Sequence, residues 1–136
     1  MVKTGTSDAR PAEYLEFISL FNRGKFFEAH EVLELLWRRE KGGERDFYHG
    51  LIQIAAAFVH IQKGTPEGGK KLLVTATQYL EKYLPARDVK ISAGGTRAAG
   101  HECLPARMGL DLKKLLAETG AALAAGRGFP QINLRP

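Results

Sequence analysis

The residues of this chain best placed to do chemistry are an imidazole and a carboxylate four apart, His30 and Glu34. On a helix that spacing stacks them on one face, with Trp37 a further turn along and Phe26, Phe27 and Leu33 flanking them. Taking His30 as zero and about 100° per residue, Glu34 falls near 40°, Phe27 near 60°, Trp37 near −20° and Phe26 near −40°. A second polar line follows: with His49 as zero, Gln53 falls near 40°, His60 near 20° and Asp46 near 60°, while Ala56 and Ala57 keep that stripe thin. A face that meets water usually carries Lys, Glu or Arg, whereas Ala, Gly, Gln and His suit the close approach of a neighbouring helix. These polar groups are therefore expected to lie inside the molecule.

Metal chemistry is the sharpest option. A zinc helix of the HExxH kind needs a second histidine where this chain has Glu34, so the hydrolase pattern is not met. His30 and Glu34 could still supply two ligands and His49 a third, with Gln53 or Asp46 in support. The Glu-x-x-His pairs of helical di-iron sites are missing, and Asp46 with His49 is only a loose analogue. A metal is thus not the favoured reading. The simpler alternative is a buried hydrogen-bond network in which Glu34 is paired with His30 and bonded to Gln53. Cys103 lies beside His101 and Glu102, but in an irregular stretch that enforces no attack geometry. No glycine-rich phosphate loop follows a strand.

Five helices must position these residues. The first runs from near Pro11, with Ser7 or Asp8 as cap, and buries Tyr14, Leu15, Phe17, Ile18 and Phe21. The second, from about Lys25 to Arg39, is apolar around most of its circumference and is expected to be central. Gly42 and Gly43 break it before a third helix from about Arg45 to Lys63. If these two fold back antiparallel, residues stand level where their numbers sum to about 85, which brings His49 near Trp37 and sets His60 beyond His30 by about 9 Å. Thr65 and Pro66 open a fourth helix reaching about Tyr83. Asp111 can cap a fifth, through about Ala125, that Gly126 ends.

Between them, residues 85–108 lose all periodicity, and Leu84-Pro85-Ala86-Arg87 recurs as Leu104-Pro105-Ala106-Arg107, marking an irregular insertion. Residues 1–10 read as a flexible N-terminus and 127–136 as an extended tail. The 136 residues are one domain's worth of chain.

Composition narrows the class. With 44% hydrophobic and 26% charged residues, the chain is neither disordered nor membrane-embedded. One cysteine excludes a disulfide framework, and the first ten residues lack a secretion signal's apolar core, so a cytosolic protein is expected. The net charge of +5 belongs wholly to the half after Gly64. Its cations are spread over helices and loops with few aromatics between them, which fits a solvated surface better than a nucleic-acid face.

His30-Glu31-Val32-Leu33-Glu34-Leu35-Leu36-Trp37, preceded by Phe21-Asn22-Arg23-Gly24-Lys25-Phe26-Phe27-Glu28-Ala29, and Gly50-Leu51-Ile52-Gln53-Ile54-Ala55-Ala56-Ala57-Phe58-Val59-His60 together resemble the domain-of-unknown-function family 309. The resemblance runs from about Glu13 to Leu84 and resumes weakly over Arg107 to Leu116. It implies an all-helical fold and a motif cluster at His30, Glu31, Glu34, Trp37, Gly50, Gln53 and His60, without implying a reaction. His49 is less typical, and Arg87 to Arg107 is an insertion relative to the usual pattern.

The expectation is a compact all-α bundle whose central antiparallel hairpin carries a polar cluster of His30, Glu34 and Gln53, with Glu31, Trp37, His49 and His60 nearby. The favoured role is a binding or interaction module for an unknown small molecule or protein. A metal-dependent hydrolase or lyase using His30 and Glu34 comes second, and a nucleic-acid-associated protein third. Homo-oligomerisation stays open and no membrane partner is expected.

Overall fold

A computed structural model describes residues 10–84 and 109–132. Within them every regular element is helical: α1 (Ala12–Asn22), α2 (Phe26–Arg39), α3 (Arg45–Gln62), α4 (Pro66–Leu80), a 3₁₀ turn (Glu81–Tyr83) and α5 (Leu112–Ala125). The expected all-α bundle is what forms. The 85–108 insertion with His101, Glu102 and Cys103, the first nine residues, the second Leu-Pro-Ala-Arg copy and positions 133–136 lie outside the described residues.

α2 and α3 form an antiparallel hairpin. Trp37 lies on His49, Arg45 donates to the Glu40 carbonyl and Gln62 to the Gly24 carbonyl, each pair within a residue of the level relation that equal helical rise requires. Centrality, however, belongs to α3 and not to α2. α3 packs against α2, α4 and α5 and buries Phe47, Tyr48, Leu51, Ile52, Ile54, Ala55, Ala57 and Phe58. α2 buries one arc, Phe26, Ala29, Leu33 and Leu36, and leaves Phe27 and Leu35 each 54% exposed on the opposite side. Its apolar count misleads because two of its large side chains point away from the described helices it packs on.

The core is aromatic at the α1–α2 end. Phe21, Phe26 and Phe58 meet with ring centroids 4.9, 5.5 and 5.0 Å apart, two of the contacts edge-on and one stacked, arrangements the ring quadrupole favours or tolerates.

Helix ends refine the reading. Pro11 is extended and sits just before α1 instead of in its opening turn, its carbonyl accepting from Leu15 N–H at 3.1 Å; Ser7 and Asp8 lie outside the described residues. Thr65 precedes Pro66 as expected, yet its hydroxyl does not cap α4; it is drawn to His60, with Thr65 Oγ1 and His60 Nδ1 3.0 Å apart. Asp111 does cap α5, accepting from Lys114 N–H at 3.1 Å, and Gly126 ends it at φ +75°. α4 stops at Leu80, three residues early, because its continuation tightens to 3₁₀ geometry. That turn carries Tyr83 inward, where its hydroxyl donates to the Gly43 carbonyl and accepts from Phe47 N–H.

α3 and α4 approach closely because glycine permits it. A Cβ on Gly50 would lie 2.3 Å from Leu80 Cγ, and one on Gly69 would lie 2.8 Å from the Ala57 carbonyl oxygen. Over residues 127–132 the described chain carries no helix and returns to the α1–α2 corner.

Candidate binding seam between three helices

α2 and α4 flank α3 with little direct packing on each other, so the polar line of α3 lies in the seam between them. His49 stands at its centre. Its ring lies 4.8 Å from Trp37 of α2 and 4.2 Å from Tyr79 of α4, centroid to centroid. Arg45, one turn earlier, sets its guanidinium 4.4 Å from the centre of the Trp37 ring and donates to the Trp37 carbonyl at 2.9 Å. This aromatic and cationic stack joins three helices.

Among the described residues His49 has one polar partner, Gln53, at 3.1 Å between the amide nitrogen and Nε2. The amide donates, so Nε2 accepts and the ring proton sits on Nδ1. Burial holds the His49 pKa below the ordinary histidine value. Arg45 reinforces this, while Asp46 and Glu34 oppose it. A neutral imidazole is the form this hydrogen bond requires.

His30 and Glu34 occupy the α2 wall. His30 Nε2 stands 3.6 Å from Glu34 Oε2, and Arg38 Nη2 stands 3.6 Å from Glu34 Oε1. Both side chains of the first pair are partly open, at 25% and 32% exposure. At that distance and exposure the pair is worth a few tenths of a kcal/mol, about 0.3 to 0.5 at most. The single inter-helix network expected from the sequence is therefore not what forms. The polar groups resolve into two i,i+4 pairs, His30 with Glu34 on α2 and His49 with Gln53 on α3. Glu34 reaches α3 through its field, as one of the charges acting on His49.

The remaining sequence candidates are dispersed. Glu31 is exposed on the outer side of α2. His60 lies about 16 Å along α3 from His49, paired with Thr65 against the space that Gly68 leaves open. Asp46 pairs with Lys82 at 2.6 Å. Among the described residues no group of three His, Cys, Asp or Glu side chains could hold a metal ion, so the ligand set His30, Glu34 and His49 is not assembled. His49 is held between two aromatic rings with its Nε2 occupied, while His30 turns to Glu34 and lies against Phe27, ring centroids 5.6 Å apart.

Two seam atoms stand out. Trp37 Nε1 and His30 Nδ1 are buried without a hydrogen-bond partner among the described residues. Such groups are few in folded proteins, since each forfeits about 1 to 3 kcal/mol of solvation.

Sequence reasoning read Arg45 only as a helix start and did not single out Tyr79. The signal for Tyr79 was present: α4 folds back on α3 so that Asp46 meets Lys82 and His60 meets Gly68, and equal rise then puts Tyr79 level with His49. No described helix is long and apolar enough to cross a membrane.

Residues 14–72 match the family described as Domain of unknown function (DUF309). Among curated proteins, the chain is similar to the uncharacterised protein YpuF of Bacillus subtilis (strain 168), 30% identical over 73 residues, which is 52% of this chain and 42% of that one. It is also similar to an uncharacterised protein of Aquifex aeolicus (strain VF5), 37% identical over 70 residues, 50% of this chain and 21% of that one. The matched part thus spans less than half the length of either relative. No solved structure matches.

Proposed function

With residues 14–72 a segment of the DUF309 family, we propose that this chain is a binding module whose ligand-facing surface is the seam at Trp37, His49, Gln53 and Tyr79, with His30 and Glu34 as its polar edge. The carrying observation is the pair of unpartnered atoms, Trp37 Nε1 and His30 Nδ1, on one face of α2 beside the aromatic stack. A purely structural seam would have them paired, or the positions filled by apolar side chains. Trp37 Nε1–H asks for an acceptor. The His49 and Tyr79 rings touch each other at 4.2 Å, so a planar group would stack beside this pair and not between its rings. The fitting ligand class is therefore a planar molecule or side chain bearing a carbonyl or carboxylate. A hydrolase or lyase working through a metal has no three-donor group to build on among the described residues. The single cysteine fits a cytosolic setting.

Trp37 is the only tryptophan, so its indole N–H gives one NMR resonance that reports on the seam. A panel of planar carboxylates and amides titrated into the protein is expected to contain members that shift this resonance together with that of the Gln53 side-chain amide, and His30→Ala is expected to weaken them. A panel that moves neither resonance, or binding untouched by Trp37→Phe, overturns the reading.

A further inference from the structure

The corner between α1 and α2 holds a different kind of site. Asn22, the last residue of α1, uses its whole side chain on the backbone of one distant residue: Nδ2 donates to the Ile132 carbonyl at 2.7 Å, and Oδ1 accepts from Ile132 N–H at 2.6 Å. The Asn22 carbonyl in turn accepts from Gln131 Nε2 at 3.0 Å. A carboxamide that pairs with both the N–H and the C=O of one residue reads peptide backbone, much as a neighbouring strand would.

Apolar anchors flank this clamp. Ile132 is 5% exposed and Pro130 is buried. Phe129 sets its edge on the Phe26 ring at 4.9 Å and lies over Gly24, where a Cβ would stand 3.6 Å from its Cζ. Gly24 has φ +78°, a turn that holds the floor flat under the ring. Gln62 fixes it from α3 by donating to the Gly24 carbonyl at 2.7 Å. A pocket of about 180 Å³, lined by Leu110, Lys114, Leu115 and Glu118 among others, adjoins Gln131 and Ile132.

The segment seated here is joined to the bundle through two glycines in the left-handed region, Gly126 at φ +75° and Gly128 at φ +83°. Around Gly128 no described residue lies within 4 Å of a would-be Cβ. The floor is built by α1, α2 and α3, while its occupant arrives on a short strap after α5. Phe129 keeps 40% of its surface exposed and Gln131 is exposed, so the strap is held by one edge and not enclosed.

We propose that the Asn22 corner is a binding site for an extended peptide of the pattern aromatic-Pro-x-Ile, which this chain fills with its own residues 129–132 and which accepts the same kind of segment in trans when the strap lifts. Recognition is by backbone pairing to Asn22, with an aromatic ring over Gly24 and Phe26 and a branched aliphatic side chain beyond the proline. The site shares no residue with the seam between α2, α3 and α4, so either can fail alone.

The test uses the full chain and, as probe, the acetylated and amidated peptide of residues 127–132. In the wild-type protein the strap competes at high effective concentration, and millimolar peptide is expected to leave the Asn22 side-chain and Gly24 amide resonances in place. In Phe129→Ala, which alters a half-exposed ring, and in Phe129→Ala/Ile132→Ala, the same resonances are expected to shift saturably. Adding Asn22→Ala to Phe129→Ala should weaken the peptide at least tenfold. Phe129→Ala alone keeps the test valid if the double variant fails to fold. Absence of any shift in folded Phe129→Ala at millimolar peptide, or equal shifts with and without Asn22, overturns the proposal.

Discussion

Gly50→Ala tests the close contact on which the seam depends. A Cβ at position 50 would fall 2.3, 2.6 and 2.9 Å from Leu80 Cγ, Cδ2 and Cδ1, roughly 1 Å inside ordinary carbon contact distance. Leu80 is fully buried, so its side chain has no open space to swing into, and α3 and α4 must part instead. Overpacking of this kind costs about 2 to 3 kcal/mol, and replacing a mid-helix glycine by alanine returns about 1 kcal/mol. A net loss of about 1 to 2 kcal/mol is expected, read from urea unfolding followed by Trp37 fluorescence. Because Tyr79 and Leu80 are neighbours, the same parting should disturb the His49–Tyr79 contact and move the Trp37 indole resonance. Two further substitutions sharpen the reasoning. In Gly69→Ala the new carbon meets the Ala57 carbonyl oxygen at 2.8 Å, a backbone atom that cannot turn aside, so it should cost at least as much. In Gly68→Ala the nearest atom, at 2.6 Å, belongs to the half-exposed His60 ring, which can rotate away, so the change should be close to neutral. Equal stability of all three variants and the wild type would refute the account of α3–α4 packing.

Other outcomes follow from the same geometry. A double-mutant cycle on His30→Ala and Glu34→Ala should give a coupling of about 0.3 to 0.5 kcal/mol, as for exposed i,i+4 pairs; a coupling above about 2 kcal/mol would mean a buried network after all. His49 holds its proton less tightly folded than unfolded. Its contribution to stability is thus complete above the ordinary histidine pKa of 6.5 and declines as pH falls through and below it. Chemical denaturation between neutral and mildly acid pH should show this slope, and His49→Gln should flatten it. Tyr83→Phe removes the acceptor of the buried Phe47 N–H and the donor to Gly43. It should destabilise by about 1 to 3 kcal/mol in thermal or urea melts, and an unchanged midpoint would contradict the buried placement of that hydroxyl.

What the sequence makes legible here is whatever depends on helical rise and local punctuation. The Pro66 start, the Asp111 cap and the Gly126 stop form where their chemistry places them, and the α2–α3 register follows from the tightness of the turn between them. What it hides depends on which neighbours arrive. Phe27 and Leu35 count as apolar in any periodicity, but only the assembled bundle reveals that each stays more than half exposed. Thr65 has the right type for a cap and instead meets His60, a competition for one hydroxyl between the helix N–H groups and the imidazole that no propensity resolves. The Asn22 clamp joins residues about 110 positions apart, a pairing with no local signature in a tail that reads only as extended.

The seam shows the same division at the scale of chemistry. Spacing puts His30 with Glu34 and His49 with Gln53 correctly, because i,i+4 neighbours on a helix meet whatever surrounds the helix. Whether the two pairs merge depends on the rotation of α2 about its own axis. That rotation is set by its buried arc of Phe26, Ala29, Leu33 and Leu36, whose centre lies about 80° from His30 and 120° from Glu34. The carboxylate is thereby turned away from α3 toward Arg38 and water, while Trp37, nearer the arc, is carried in against His49. Four apolar side chains thus decide that the centre of the seam is an aromatic stack with an unspent indole donor and that the His–Glu pair stands at its edge. A substitution that rotated α2, such as Ala29→Leu on the buried arc, should therefore disturb the Trp37–His49 contact before it alters the His30–Glu34 spacing, because the first contact spans two helices and the second lies within one.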